Sequence, residues 1–159
     1  YSALLLLVFI LAYYGLHQKT ISLWDEKEVR EKPGMRSLQI PENRRLMIRQ
    51  ELENYFCQGK PYLNPDLNMT LLADHLKIPK HQLTDVLNAD MGVNFFLYVN
   101  GFRVEAVKKL LSDPRNRFSI EAIGYECGFS SKSSFFTVFK KLTGQTPMEY
   151  KNSLPEKEQ

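Results

Sequence analysis

In the stretch GFSSKSSFFTVFKKLTGQTP (128–147), large apolar side chains fall at Phe135, Val138, Phe139 and Leu142, while Lys132, Ser133, Thr137, Lys140 and Lys141 occupy positions between them. The i, i+3, i+4, i+7 spacing predicts an amphipathic α-helix with one packed face and one solvated face. Ser130 or Ser131 precedes it, where a hydroxyl can accept from the unpaired N–H groups of the first turn, and Gly144 follows as a stop. Thr146-Pro147 reads as the cap and first residue of a further short helix ending near Tyr150. Just upstream, FSIEAIGYECGF predicts a second amphipathic helix with Ile120, Ile123 and Cys127 inward. Gly128 closes it, where a tight turn between helices needs positive φ.

The pattern occurs twice. Leu83 corresponds to Phe135, Val86 to Val138, Leu87 to Phe139, Gly92 to Gly144, Asn94 to Thr146 and Tyr98 to Tyr150, each about 52 residues apart. LLADHLKI (71–78) likewise parallels AIGYECGF (122–129), with Ala73 opposite Gly124 and Lys77 opposite Gly128. A β-carbon at positive φ costs about 1 kcal/mol, so the turn at Lys77 is expected to differ in detail from the turn at Gly128. Two helices meeting through a short turn, the second with a polar tip, form the helix-turn-helix pattern, whose second helix can enter a DNA major groove. Between the copies, NFFLYVNGFRVEAVKKLLSD (94–113) keeps Phe95, Leu97, Tyr98, Phe102, Val104, Val107, Leu110 and Leu111 at helical spacing and ends at Asp113-Pro114. A helix of roughly 17 residues spans about 25 Å, enough to hold two such tips near the ~34 Å between successive major-groove faces on one side of B-DNA.

Residues 60–152, and above all the run GFSSKSSFFTVFKKLTGQTPMEY, resemble the DNA-binding region of AraC/XylS-type transcription regulators, two helix-turn-helix units joined by a long helix. The resemblance implies a first unit at 69–92, a linker helix at 94–112, a second unit at 119–143 and a final helix at 146–152. It implies a sequence-specific regulator of transcription whose partner is double-stranded DNA at a promoter site. Lys132, Ser133, Phe136, Thr137 and Lys140 of the second unit would face that DNA, with Pro79, Lys80, His81, Thr84, Asp85 and Asn88 of the first. Asp85 departs from this role, because phosphates repel a carboxylate unless it accepts from cytosine N4. Within this scheme Lys140 or Lys141 holds phosphates, while Lys132, Ser133 and Thr137 read base edges, Lys132 to guanine O6/N7. RNA polymerase and a second copy of the chain are further candidate partners.

The chain opens differently. YSALLLLVFILAYYGLHQ carries no charge through residue 16 and has Tyr13 and Tyr14 where an interfacial aromatic belt would lie. An apolar helix of this length spans about 24 Å, short of the ~30 Å hydrocarbon layer. Because the chain begins without methionine, residues 1–17 are read as the C-terminal part of a transmembrane helix that starts upstream. A buried core helix is the alternative, and a signal peptide fits less well because no basic segment precedes the apolar run. Lys19, Lys27, Arg30, Lys32 and Arg36 follow it, in keeping with a cytoplasmic DNA-binding part. Asp25, Glu26, Glu28 and Glu31 mingle with them, so no polybasic lipid-binding patch forms. The proline and glycine of EKPGMRSLQIPENRR complete a juxtamembrane linker over 18–41. An amphipathic helix follows at 42–59, with Leu46, Leu52, Tyr55 and Phe56 on its apolar face. It would pack on the DNA-binding domain, join two subunits or relay a signal. The whole is expected to be all-α, with 153–159 a disordered tail.

Composition adds limits. Lys+Arg of 21 against Asp+Glu of 18 leaves a net charge of +3, too mild an excess to suggest nucleic acid by itself. Cys57 and Cys127 form neither a disulfide framework nor a metal-ligand spacing, which fits a reducing compartment, with Cys127 packed under the Gly128 turn. No metal site or cofactor is expected. Catalysis has little to stand on, because His17, His75 and His81 have no second ligand at helical spacing and no phosphate loop or nucleophile motif appears. A membrane-anchored protein-interaction scaffold, using the same fold without reading DNA, is the alternative function.

Overall fold

Polar residues placed just before each apolar run begin most of the helices. The computed structural model describes residues 40–154, and all regular structure there is helical. In chain order the helices are α1 (Glu42–Gln58), α2 (Met69–Leu76), α3 (Lys80–Asp85), α4 (Phe95–Leu111), α5 (Ile120–Glu126), α6 (Lys132–Thr143) and α7 (Pro147–Ser153). A 3-10 turn, Pro61–Leu63, lies between α1 and α2, and π-helical turns over Val86–Asp90 continue α3. Asn68, Asn94, Ser119 and Ser131 cap α2, α4, α5 and α6, each accepting from an N–H in the first turn at 2.8–3.2 Å. Thr146 and Glu149 cap α7 reciprocally, Glu149 accepting from the Thr146 N–H at 2.7 Å and Thr146 from the Glu149 N–H at 3.3 Å. Each such cap stabilises its helix by about 1 kcal/mol.

Two cores form along α4. Ile48, Leu52 and Phe56 of α1 join Leu72, Ile78, Leu83, Val86, Leu87, Tyr98 and Val99 in the first. Val104, Val107 and Leu111 join Ile123, Cys127, Phe129, Phe135, Val138 and Phe139 in the second. The helix expected at 42–59 is therefore packed into the first core. Its buried stripe runs Ile48, Leu52, Phe56, at intervals of four residues, and this corrects the reading of Leu46, which is 53% exposed because it sits two residues off that stripe. Leu142 is a second correction: the packed face of α6 ends at Phe139, and Leu142 in the last turn is 40% exposed. Cys127 is buried under the Gly128 turn and burial pushes its thiol up to about 11, whereas Cys57 is exposed on α1.

The turns inside the two helix pairs share one geometry. Lys77 and Gly128 both take positive φ, 55° and 89°, and the Ile78 N–H donates to the Ala73 carbonyl as the Phe129 N–H does to Gly124, both at 3.1 Å. The first turn thus keeps the left-handed residue despite its side chain, and differs by being one residue shorter before the next helix. The reason glycine stands at only one of the two places is what lies over it. A β-carbon on Gly128 would run into the carbonyl oxygen of Tyr62 and lie 2.9 Å from Leu63 backbone atoms, while the Lys77 side chain is exposed. The 3-10 turn is thereby seated against the second helix pair, and Arg103 of α4 fastens it. Its Nε donates to the Tyr62 carbonyl at 2.8 Å and its Nη2 to the Asn64 carbonyl at 2.9 Å. The same guanidinium lies 5.7 Å from the centre of the Phe129 ring, and burial holds its pKa below the usual arginine value.

No helix among the described residues is long and apolar enough to cross a membrane. The expected span at 1–17 and most of the linker at 18–41 lie outside the described residues, as do 155–159 of the expected tail, while Ser153 still belongs to α7.

Candidate nucleic-acid interface

The surface that the sequence marks out is the polar side of α6, and its exposure follows from how the other side is buried. Phe135, Val138 and Phe139 fill the second core, so Lys132, Ser133, Thr137, Lys140 and Lys141 point to solvent. Gly124 sets how closely α5 crosses α6, because a β-carbon there would lie 2.6 Å from the Phe135 ring. The Ser131 hydroxyl accepts from the Ser134 N–H, and the helix start as a whole is a weak positive pole. Phe136 is half-buried, edge-on to Phe135 at 5.1 Å, with the Lys132 ammonium 5.8 Å from its ring centre. Lys132 also forms an ion pair with Glu121 in the first turn of α5, the two side chains being 57% and 48% exposed.

In the first helix pair Pro79, Lys80, His81 and Asn88 are exposed, while Thr84 and Asp85 are half-buried. The Thr84 hydroxyl donates to the Lys80 carbonyl at 2.9 Å, a contact within α3 that turns it toward its own helix. Asn88 falls in the π-helical turns, which carry it out of the register that an unbroken α-helix would give. An Arg45–Asp90 ion pair at 3.2 Å joins α1 to the end of these turns. His75 of α2 stacks on Tyr55, with ring centres 4.2 Å apart. Among the described residues no group of His, Cys, Asp or Glu could hold a metal ion.

Sequence reasoning passed over three residues that shape this region: Glu121, Arg103 and Asp90. The partners of Glu121 and Arg103 lie on separate elements, with no helical periodicity joining them to the site. The π-helical turns have no composition signal either, since Val86, Leu87 and Asn88 suit an ordinary α-helix equally well.

A family model described as a helix-turn-helix domain matches residues 72–153. A Staphylococcus aureus (strain COL) protein called an uncharacterized HTH-type transcriptional regulator is 30% identical over 94 residues, which make up 59% of this chain and 12% of that protein. The chain therefore spans only a small part of the length of that relative. Among solved structures, the C-terminal domain of AraT, a response regulator from Geobacillus stearothermophilus, superposes with a TM-score of 0.60 at 22% identity, covering 71% of this chain and 91% of that one. A transcriptional regulator from Chromobacterium violaceum, described as containing an AraC-type DNA-binding domain, gives 0.58 at 19% identity, covering 73% and 98%. At these identities the structural likeness concerns the fold.

Proposed function

Because the chain belongs to the family of helix-turn-helix domains, which is not an enzymatic one, we propose that residues 60–152 form a tandem helix-turn-helix reader of double-stranded DNA, the AraC-type part of a sequence-specific transcription regulator. The observation that carries this reading is the capped, solvated start of α6, where Lys132, Ser133 and Thr137 stand exposed together over the buried Phe135, Val138 and Phe139. In this reading α6 lies in the major groove and α3 in the next groove face along the duplex. The 17 residues of α4 space them, and a helix of that length spans about 25 Å. Lys140 and Lys141 take phosphates, which fix register, and Lys132, Ser133 and Thr137 take base edges, which fix sequence. Pro79, Lys80, His81 and Asn88 serve the first groove face, and the half-burial of Thr84 and Asp85 gives them smaller parts.

Gel-shift titration tests the division of labour. Lys132→Ala is expected to cost about 1–3 kcal/mol on a preferred duplex and to relax the preference at one position, whereas Lys141→Ala weakens all sequences alike. Equal losses for both variants on preferred and scrambled duplexes would remove the base-reading role of Lys132.

The apolar run at 1–16 supports a further part of the reading, that the complete protein is tethered to a membrane with this domain on the cytoplasmic side. Fractionation of cells carrying the complete protein is expected to find it with membranes, and recovery wholly in the soluble fraction would refute the tether.

A further inference from the structure

We infer that Glu121 is a specificity-determining residue: it holds the Lys132 ammonium in an intramolecular ion pair, so that this lysine is offered to base edges and withheld from phosphates. The inference rests on the reading of α6 as the groove-entering helix. Glu121 lies in the first turn of α5, where the positive pole of the helix favours a carboxylate, and Lys132 is the first residue of α6, where the same effect disfavours a cation. The pair offsets that mismatch. It also restrains a long side chain, since the ammonium is held by the carboxylate and by the Phe136 ring, 5.8 Å away.

Two consequences follow for an incoming duplex. An ammonium has three N–H donors, and one engaged with Glu121 leaves two for the O6 and N7 acceptors of a guanine. A phosphate approaching the same ammonium meets the Glu121 carboxylate as well, and the two anions repel. Neutral guanine acceptors do not meet that repulsion to the same degree. Glu121 therefore lowers affinity for DNA in general more than affinity for the right base, and the ratio between the two is specificity.

The test uses the full chain, as wild type, Glu121→Gln, Lys132→Gln and the double variant. Each is titrated against a duplex that the wild type selects from a random library and against a scrambled duplex of equal composition, over a range of salt. Glu121→Gln is nearly isosteric and exposed, and thermal unfolding checks that the fold is kept. The expected result is that Glu121→Gln binds the scrambled duplex about 3–10-fold more tightly at low salt, with its salt slope steeper by about 0.9 because one more lysine displaces counterions. The selected duplex gains less, so the specificity ratio falls, and none of these changes appears in the Lys132→Gln background. An unchanged affinity and slope on scrambled DNA would overturn the inference alone. So would the same change in the Lys132→Gln background, since the carboxylate would then act directly on the phosphates. A wild type that selects no duplex would overturn the proposed function itself, a result distinct from either.

Discussion

Gly128→Ala separates two costs that a turn glycine can carry, because a second glycine in the chain carries only one of them. Both Gly128 and Gly144 sit at positive φ, 89° and 79°. An alanine in either place pays the left-handed penalty of about 1–2 kcal/mol. At Gly144 nothing lies within 4 Å of the added carbon. At Gly128 the carbon meets the Tyr62 carbonyl and Leu63 backbone, which cannot swing aside as a flexible side chain would. The 3-10 turn must then lift, at a cost of about 1–3 kcal/mol for overpacking. Lifting also strains the two Arg103 hydrogen bonds to the Tyr62 and Asn64 carbonyls. The expected destabilisation is about 2–5 kcal/mol for Gly128→Ala, which is about 1–3 kcal/mol beyond the about 1–2 kcal/mol expected for Gly144→Ala. Urea unfolding followed by circular dichroism measures both from the midpoint and slope. If the two variants fall within about 0.5 kcal/mol of each other, an amount typical of surface changes, the seating of the 3-10 turn on the second helix pair is not energetically real.

Arg103→Lys is expected to destabilise by about 1.5–3 kcal/mol, because an ammonium cannot span two carbonyls as the planar guanidinium does; unfolding indistinguishable from wild type would show that the fork is dispensable. Ile48→Ala is expected to cost about 2–4 kcal/mol and Leu46→Ala almost nothing, and similar losses for both would contradict the burial of α1 by its Ile48 stripe. The capping box of α7 gives a pH dependence. Hydrogen bonds from Thr146 hold the Glu149 carboxyl below its ordinary value. Its contribution is therefore complete above the ordinary carboxylate range and is lost as pH falls through that range toward the lower folded value. A Glu149→Gln variant should show a shallower loss of stability on acidification than wild type, and parallel curves would refute the assignment.

Much of the helical framework was legible because its signals are local. The second helix pair shows this most fully: Ser131 caps α6, Gly128 and Gly144 take positive φ, and Phe135, Val138 and Phe139 are buried. All of these depend on residues within four positions of one another. The repeat extended that reading to the first pair by setting Asn94 opposite Thr146, and in the structure each of the two residues caps a helix, α4 and α7. Where the local signal was ambiguous, the reading slipped. On α1 several apolar residues compete for the inward face, and packing against Leu72, Leu83 and Tyr98 chose Ile48 over Leu46.

The sequence by itself determined where most helices start and stop and, α1 apart, most of which residues face inward, since capping, left-handed turns and 3.6-residue periodicity act within a turn or two of chain. It also marked the exposed set on α6 through the complement of that apolar face. Tertiary structure alone decided which distant groups meet: the Tyr62 carbonyl over Gly128, Arg103 beneath the 3-10 turn, Arg45 on Asp90 and Glu121 on Lys132. Those contacts join residues on different elements, and no spacing along a single helix encodes them. They arise only once two cores have formed along α4 and brought the separate elements into reach.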